Sequence, residues 1–323
     1  MVTHAASSRV DLRRVQNPRP GNIMSQQKWF LKLQFLKKRF KGLTRRILRF
    51  TQQCVSYPIA RIRGNGVTTL WGFGNFGDLI TPILLRELGY TPINTSAERC
   101  DLLLVGSILD CLPEDYAGVI LGSGFLNEKN AKRLVRANIL AVRGRLSRKL
   151  LGLAKDVPLG DGGLLLPRFL EPRSTNKYAI GIVPHYSDTC DPRLDTWLKN
   201  FGRKAILINV RQPTQLVFDQ ICSCECIVSS SLHGLVVADS VGIQNLWIRL
   251  SDLCGNGEFK FHDYYSAFPS TRTSYIPTGT ESIDDLLQLC EAPHESVEQI
   301  TDELYRLLCS LPSHLPRQPK KRL

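Results

Sequence analysis

Residues 226–243 constrain this chain more than any other stretch. Cys226-Ile-Val-Ser-Ser-Ser-Leu-His-Gly-Leu-Val-Val-Ala-Asp-Ser-Val-Gly-Ile243 is a short apolar run, three serines, a histidine and a glycine, then a small-residue helix pattern that is apolar on nearly every face. The run Ile227-Val228 reads as a buried parallel strand. A strand that enters a helix through Ser229, Ser230 and Ser231 offers an anion site: the serines can cap, the first backbone N–H groups are unpaired, and the helix dipole favours negative charge. Gly234 lacks a Cβ and leaves the backbone open to close approach. His233 stands at that mouth, and imidazole is the side chain best suited to carry a proton near neutral pH. The plainer alternative is a histidine that caps or packs.

The same alternation runs through the rest of the chain. Val67–Trp71 reads as a strand, Gly72-Phe-Gly-Asn-Phe-Gly-Asp78 as a glycine-rich loop, and Leu79–Leu88 as a helix. Strands follow at Asp101–Val105, Gly118–Leu121 and Ile139–Val142, each ending in glycine or another small residue, then a helix at Arg145–Leu153. After a polar stretch at 171–177 the pattern repeats, with strands at Ala179–Val183, Ala205–Val210 and Asn245–Leu250 and helices near 191–201 and 213–222. Loops of this kind lie at the carboxyl ends of parallel strands, where open α/β sheets take their ligands. The expected architecture is α/β: two Rossmann-like domains facing a cleft, 66–170 and 171–315, with later helices near 281–290 and 295–309 covering the second sheet or crossing back to the first domain. A basic tail, 316–323, follows.

Charge separates the body from its N-terminal extension. Residues 1–65 hold 15 Lys and Arg against one acidic residue, while the remaining 258 carry 27 basic and 28 acidic residues. A near-neutral body does not suit a nucleic-acid partner, whose positive charge would spread over a folded face. Within the extension, residues 1–24 are polar with Pro18 and Pro20 and predict disorder. Trp29, Leu33, Leu36, Phe40, Leu43, Ile47 and Phe50 recur at steps of four and three, which predicts an amphipathic helix over 27–50 with lysines and arginines filling much of the rest. Such a helix suits an anionic membrane surface, or else packs on the body or a partner subunit. The N-terminus has no apolar signal core and no stretch is long enough to span a bilayer, so the expectation is a cytoplasmic protein, peripheral on the inner face of the cell membrane. In that compartment the ten cysteines read as reduced core thiols, and the alternation Cys222, Cys224, Cys226 as packing rather than a zinc site; no metal and no cofactor are expected.

Seven motifs in order resemble the polysaccharide pyruvyl transferase family, in its bacterial exopolysaccharide branch: Gly74-Asn-Phe-Gly-Asp-Leu-Ile-Thr-Pro82, Gly122-Ser-Gly-Phe125, Ala141-Val-Arg-Gly-Arg-Leu-Ser147, Leu159-Gly-Asp161, Gly181-Ile-Val-Pro-His-Tyr186, Ser229-Ser-Ser-Leu-His-Gly234 and Phe259-Lys-Phe-His-Asp-Tyr-Tyr-Ser266. The resemblance implies a glycosyltransferase-B-like fold. It implies an enzyme that moves the enolpyruvyl group of phosphoenolpyruvate onto two hydroxyls of a sugar, in an exopolysaccharide or its lipid-linked repeat unit. The family's catalytic histidine falls on His233, as acid or as phosphate ligand. The arginine that precedes it by two places in the family falls on Ser231. Arg143, after a strand end, and Lys260 are the replacement cations, with Arg143 assigned to catalysis.

The donor's phosphate and carboxylate need cations or helix ends. Ser229, Ser230, Ser231, Gly234, Lys260 and His185 are therefore the donor-site candidates, with packing beside Pro184 the alternative for His185. Asn75 and Asp78 are candidates for sugar hydroxyls, although Asp78 also suits the cap of the following helix. Tyr264 and Tyr265 can stack on a sugar ring or serve the core. Two other functions fit the same architecture, a sugar-nucleotide glycosyltransferase and a non-catalytic polysaccharide-assembly subunit.

Overall fold

A computed structural model describes residues 44, 47–72, 74–173, 178–251, 257–311 and 315. The polar segment 1–24, most of the helix predicted over 27–50 and the tail 316–323 lie outside the described residues. Residues Arg49–Leu323 form one compact unit.

That unit is α/β and carries two wholly parallel sheets. Helix α1 covers 47–63. The first sheet contains β1 (Gly66–Thr69), β2 (Thr91–Asn94), β3 (Leu102–Leu103), β4 (Val119–Leu121) and β5 (Asn138–Ala141) in the order β2-β1-β3-β4-β5, with α2 (Ile80–Glu87) and α3 (Arg145–Leu150) between strands or after them. The second contains β6 (Tyr178–Val183), β7 (Ala205–Leu207), β8 (Cys224–Ser229) and β9 (Gln244–Trp247) in the order β7-β6-β8-β9. Its helices are α4 (Pro192–Phe201), α5 (Thr214–Cys222) and α6 (Leu232–Ser240). Three more follow: α7 (Phe259–Tyr265), α8 (Ile283–Leu289) and α9 (Val297–Cys309).

Local sequence explains the ends of these elements. Asp191 accepts the N–H of Arg193 ahead of Pro192, which starts α4. Ser282 and Asp285 close a reciprocal capping box on α8. The strand β2 was not anticipated. Its Pro92 lacks an amide donor and argues against a strand, yet β2 is the sheet edge, where proline is tolerated. Helix α1 covers that edge: Gln52 Nε2 donates to Pro92 O at 3.0 Å, Gln53 Nε2 donates to Asn94 O at 2.7 Å, and Asn94 N–H donates to Gln52 Oε1 at 2.9 Å. Side-chain amides thus satisfy an edge that would otherwise pair with another strand.

The two sheets are joined through α6. Every residue from Leu232 to Asp239 is buried. A helix apolar all round must be covered all round, and both halves of the chain supply the cover. Strands β8 and β9 lie on one side, and the 3₁₀ helix Gly162–Arg168 of the first half lies on the other. Leu164, Leu165 and Leu166 join Leu235, Val236 and Val237 in a single core, each worth about 1.5–3 kcal/mol when buried. Helix α9 crosses back to the first half, with Ile300 and Leu304 against Gly160. Helix α8 instead packs on the second sheet through Leu286.

One cysteine expectation fails. Cys226, inside β8, is disulfide-bonded to Cys290 just beyond α8, a separation of 64 residues that sequence spacing does not reveal. Cys224, two residues earlier, stays a buried free thiol, pushed up to about 12 by burial. Among the described residues no group of three or more His, Cys, Asp and Glu is placed to hold a metal, and no helix is long and apolar enough to cross a membrane.

Candidate functional site

Some of the polar groups singled out by sequence gather at the carboxyl ends of β6 and β8: His185 follows β6, Ser229 ends β8 and Ser230 comes next. Arg249, which the sequence did not single out, follows β9 beside them. Lys260 comes in from the first turn of α7. A cavity of about 170 Å³ there is lined by Asp188, Ser230, Trp247, Arg249, Ser251 and Lys260 among others.

His233 occupies the first turn of α6 and is 9% exposed. Its ring lies at the seam between the halves. A Cβ built on Gly77 would come within 2.1 Å of its Nδ1, and one built on Gly163 within 3.5 Å of its Cδ2. Phe76 meets the ring edge-on, with centroids 6.5 Å apart. The glycine-rich loop is pinned beneath it: Phe76 N–H donates to Val210 O at 2.7 Å and Thr214 Oγ1 donates to Phe76 O at 3.3 Å. Burial pushes the imidazole down to about 4; the Asp78 carboxylate opposes this, while the charges of Lys260 and Arg143 add to it. His233 Nε2 has no hydrogen-bond partner among the described residues, and Asp161 Oδ1 is 3.9 Å away.

His185 is half-buried, its Nδ1 2.7 Å from Ser187 Oγ. Burial, then Lys260, push it down to about 4 against the pull of Asp188. One lysine therefore acts on both imidazoles.

The serines serve the backbone first. Ser229 Oγ lies 2.9 Å from Val183 O and 2.8 Å from Ser231 O, and accepts the Ser231 N–H at 3.0 Å. Ser230 Oγ accepts the His185 N–H at 2.9 Å and donates to Asp188 Oδ2 at 2.7 Å. Ser231 is the N-cap of α6 by position, but its side chain makes no cap bond. Gly234 answers to packing rather than to a ligand, since a Cβ there would meet Ser229 Oγ at 2.5 Å and Val183 Cγ1 at 2.9 Å.

Arg143 sits apart from this cluster. It is fully buried, and its guanidinium is engaged throughout: Nε donates to Asp263 Oδ2 at 2.9 Å, Nη1 to Ser107 Oγ at 2.6 Å, and Nη2 to Phe125 O. Asp263 also accepts the Ser147 N–H at 2.7 Å. The pair thus ties α3 and the end of β5 to α7, the helix that carries Lys260. A catalytic contact by Arg143 gains no support from this geometry, because no part of the side chain reaches a surface.

Tyr264 and Tyr265 are buried, which gives acceptor stacking no support, although Tyr265 borders a cavity with Arg272 and His294. Tyr264 is fully buried, donates to Asp239 Oδ2 at 2.8 Å and packs edge-on to Phe268. Tyr265 lies against Trp247 and Tyr264, with the Arg272 guanidinium 5.2 Å from its ring centroid. Asn75 and Asp78 bind each other: Asn75 Nδ2 donates to Asp78 Oδ2, and the Asp78 N–H donates to Asn75 Oδ1, both at 3.2 Å. The Gly74 N–H adds a third bond to Asp78 Oδ2. Asp78 closes the loop on itself instead of capping α2, whose N-cap position is Leu79.

Sequence reasoning passed over Asp188, Arg249 and Asp161 as site residues. Asp188 and Arg249 stand alone in sequence, and only the fold brings them to the cavity. Asp161 had a signal in the Leu-Gly-Asp-Gly-Gly run at 159–163.

Two parallel sheets sharing one buried helix, with two imidazoles and a lysine gathered at strand ends, make this an α/β protein built around a polar cluster at a seam. The family model for polysaccharide pyruvyl transferases matches residues 22–252, and the chain belongs to that family. An uncharacterized protein of Acanthamoeba polyphaga mimivirus is 36% identical over 167 residues, 49% of this chain and 57% of its own length. The succinoglycan biosynthesis protein ExoV of Rhizobium meliloti is 24% identical over 217 residues, 65% of this chain and 66% of ExoV. The chain thus spans less than two-thirds of the length of these curated relatives. No solved structure matches it.

Proposed function

We propose that this protein transfers the enolpyruvyl group of phosphoenolpyruvate to two hydroxyls of one sugar, in an exopolysaccharide or its lipid-linked repeat unit. The observation that carries the reading is His233, held at the start of α6 against the glycine-rich loop with Lys260 within electrostatic reach. In the proposed reaction the imidazolium gives its proton to the methylene carbon while a sugar oxygen bonds to the neighbouring carbon. The bond from that carbon to the phosphate oxygen then breaks, and the second hydroxyl closes the ketal. Of the two hydroxyl protons, one replaces that lost by the histidine and the other leaves on hydrogen phosphate.

Lys260 and the first turn of α6 suit the anionic donor, and Ser230 joins them by releasing Asp188, to which its one hydroxyl proton is given. Lys260 takes the place of the arginine that the family carries where Ser231 stands. Asn75 and Asp78 remain the candidates for the acceptor, and no cofactor takes part. The two halves open and close about α6 in the glycosyltransferase-B manner. The basic extension rests on an anionic membrane, which brings the enzyme to a lipid-linked acceptor on the cytoplasmic face. The outward Ile47, Phe50, Val55 and Ile62 of α1 support this last point, being 54%, 66%, 62% and 79% exposed.

Mass analysis of the polymer from cells with the wild-type protein, with His233→Ala and with none is the test. A pyruvate adduct present only with wild type is the expected outcome. An adduct that survives His233→Ala would instead leave a non-catalytic assembly subunit, the reading that Ser231 favours. Sedimentation with anionic vesicles of the full chain, of a form without residues 1–43 and of a full chain with Ile47, Phe50, Val55 and Ile62 changed to Ser tests the membrane contact; equal binding by all three removes it.

A further inference from the structure

Asp161 and His233 form a pair that the family resemblance does not call for. Asp161 precedes the 3₁₀ helix Gly162–Arg168 of the first half, and His233 opens α6 of the second. Asp161 is fully buried, and its Oδ2 has no hydrogen-bond partner among the described residues; neither has His233 Nε2. Leaving such atoms unpaired costs on the order of 1–3 kcal/mol each, so two of them on neighbouring buried side chains call for a reason. Asp161 Oδ1 is fixed by the Gly163 N–H at 2.8 Å, while His233 Nε2 is 3.9 Å from that oxygen. The gap is too long for a hydrogen bond and about 1 Å from being one. The opposite edge of the ring, Nδ1, faces the glycine-rich loop at Gly77.

We propose that Asp161 is a positioning residue for His233: its carboxylate takes the Nε2–H, fixes the tautomer and leaves Nδ1 to exchange the proton with the donor. The assignment rests on the reading of His233 as proton donor. Because the partners belong to different halves, a closure of about 1 Å along the seam completes the bond, and the free protein makes that movement in solution before substrate arrives. A carboxylate on one imidazole nitrogen orients the ring and stabilises the imidazolium. Other charges face the pair. Asp78 from the loop, Lys260 from α7 and Arg143 from the end of β5 act on His233, and Arg143 and Asp263 act on Asp161. Burial pushes Asp161 up to about 6 and His233 down to about 4, so at pH 7 the carboxyl is still mainly charged and the imidazole neutral, the states in which Asp161 can accept the Nε2–H.

The test is Asp161→Asn, which keeps the shape and the acceptor for the Gly163 N–H. Protein labelled with 15N-histidine reports the tautomer and titration of His233, assigned by its loss in His233→Ala. Phosphate release from phosphoenolpyruvate, with extracted lipid-linked oligosaccharide as acceptor, reports kcat and KM. Wild type is expected to hold His233 as the Nε2–H tautomer. Asp161→Asn is expected to lose that preference, lower kcat by roughly a hundredfold and move the acid limb of the pH profile, with KM within about threefold. An unchanged His233 tautomer and titration in Asp161→Asn overturn the proposal, whatever happens to kcat. The tautomer is read without substrate, so it decides the pairing even if wild type transfers no pyruvyl group, the outcome that would sink the catalytic reading alone. Should the variant lose its fold, wild type still decides: a His233 found as the Nδ1–H tautomer overturns the assignment.

Discussion

Gly77→Ala isolates the seat of His233. Gly77 is not at positive φ, so alanine meets no backbone penalty there, and the substitution acts through one added methyl group. That methyl would lie 2.1 Å from His233 Nδ1 and 2.4 Å from Cγ, where ordinary contact begins near 3.4 Å, so the ring must retreat by about 1.3 Å. Overpacking of this kind costs about 1–3 kcal/mol, and the lower chain entropy of alanine returns about 0.4–1 kcal/mol, which leaves a net loss of roughly 0–2.6 kcal/mol. A fold that survives with its acid displaced by more than 1 Å should lose roughly a hundredfold in kcat. The assay pairs thermal melting with phosphate release from phosphoenolpyruvate. Gly74→Ala is the comparison: same loop, same chemical change, but its nearest contact is Asp78 Oδ2 at 3.5 Å. Its effect should be roughly tenfold smaller at least. If Gly77→Ala keeps full activity, or Gly74→Ala loses as much, the claim that the loop seats the imidazole is wrong.

Two further perturbations test the buried charges. Asp161 has a folded value raised from 3.8 to about 6, so its favourable contribution is complete below about pH 4 and is lost as pH rises through 6. Asp161→Asn should therefore gain on wild type between pH 4 and 7 by up to about 3 kcal/mol, read by denaturant unfolding at several pH values; a flat difference refutes the shift. Arg143→Ala should cost about 3–5 kcal/mol, because it strands the Asp263 carboxylate in the core. A fully stable variant with only a raised KM would return Arg143 to the donor site.

Much of the fold was legible because local pattern determines it. The all-round apolar α6 announced a helix covered on every side, and the glycine-ended strands announced parallel sheets. What stayed hidden depends on partners far away in the chain. Arg143 and Asp263 are 120 residues apart, and a lone arginine after a strand end looks the same in sequence whether it meets a phosphate or a buried carboxylate. Tyr264 and Tyr265 have the composition of a sugar platform, but α7 turns both into the core. At seven residues, α7 is too short to show a helical period. Gly234 likewise looked like a space for ligand, and only the fold shows Ser229 and Val183 filling it. His233 was found because its signal is local, a histidine in the first turn of a helix after a buried strand.

A paradox at that histidine leads to the last prediction. A residue meant to donate a proton is pushed down to about 4 by its surroundings, and so is neutral at pH 7. The donor can reverse this. One negative charge about 4 Å from the ring, at an effective dielectric of about 20, stabilises the imidazolium by about 4 kcal/mol. That is worth about three pH units, which brings the group to about 7. The acid would then be charged only when phosphoenolpyruvate is present, and water alone would find no proton to take. The check is a titration of His233 by NMR with and without saturating phosphoenolpyruvate. An apparent value that stays near 4 in the complex would mean that His233 is no acid at neutral pH, and the proton would have to come from elsewhere.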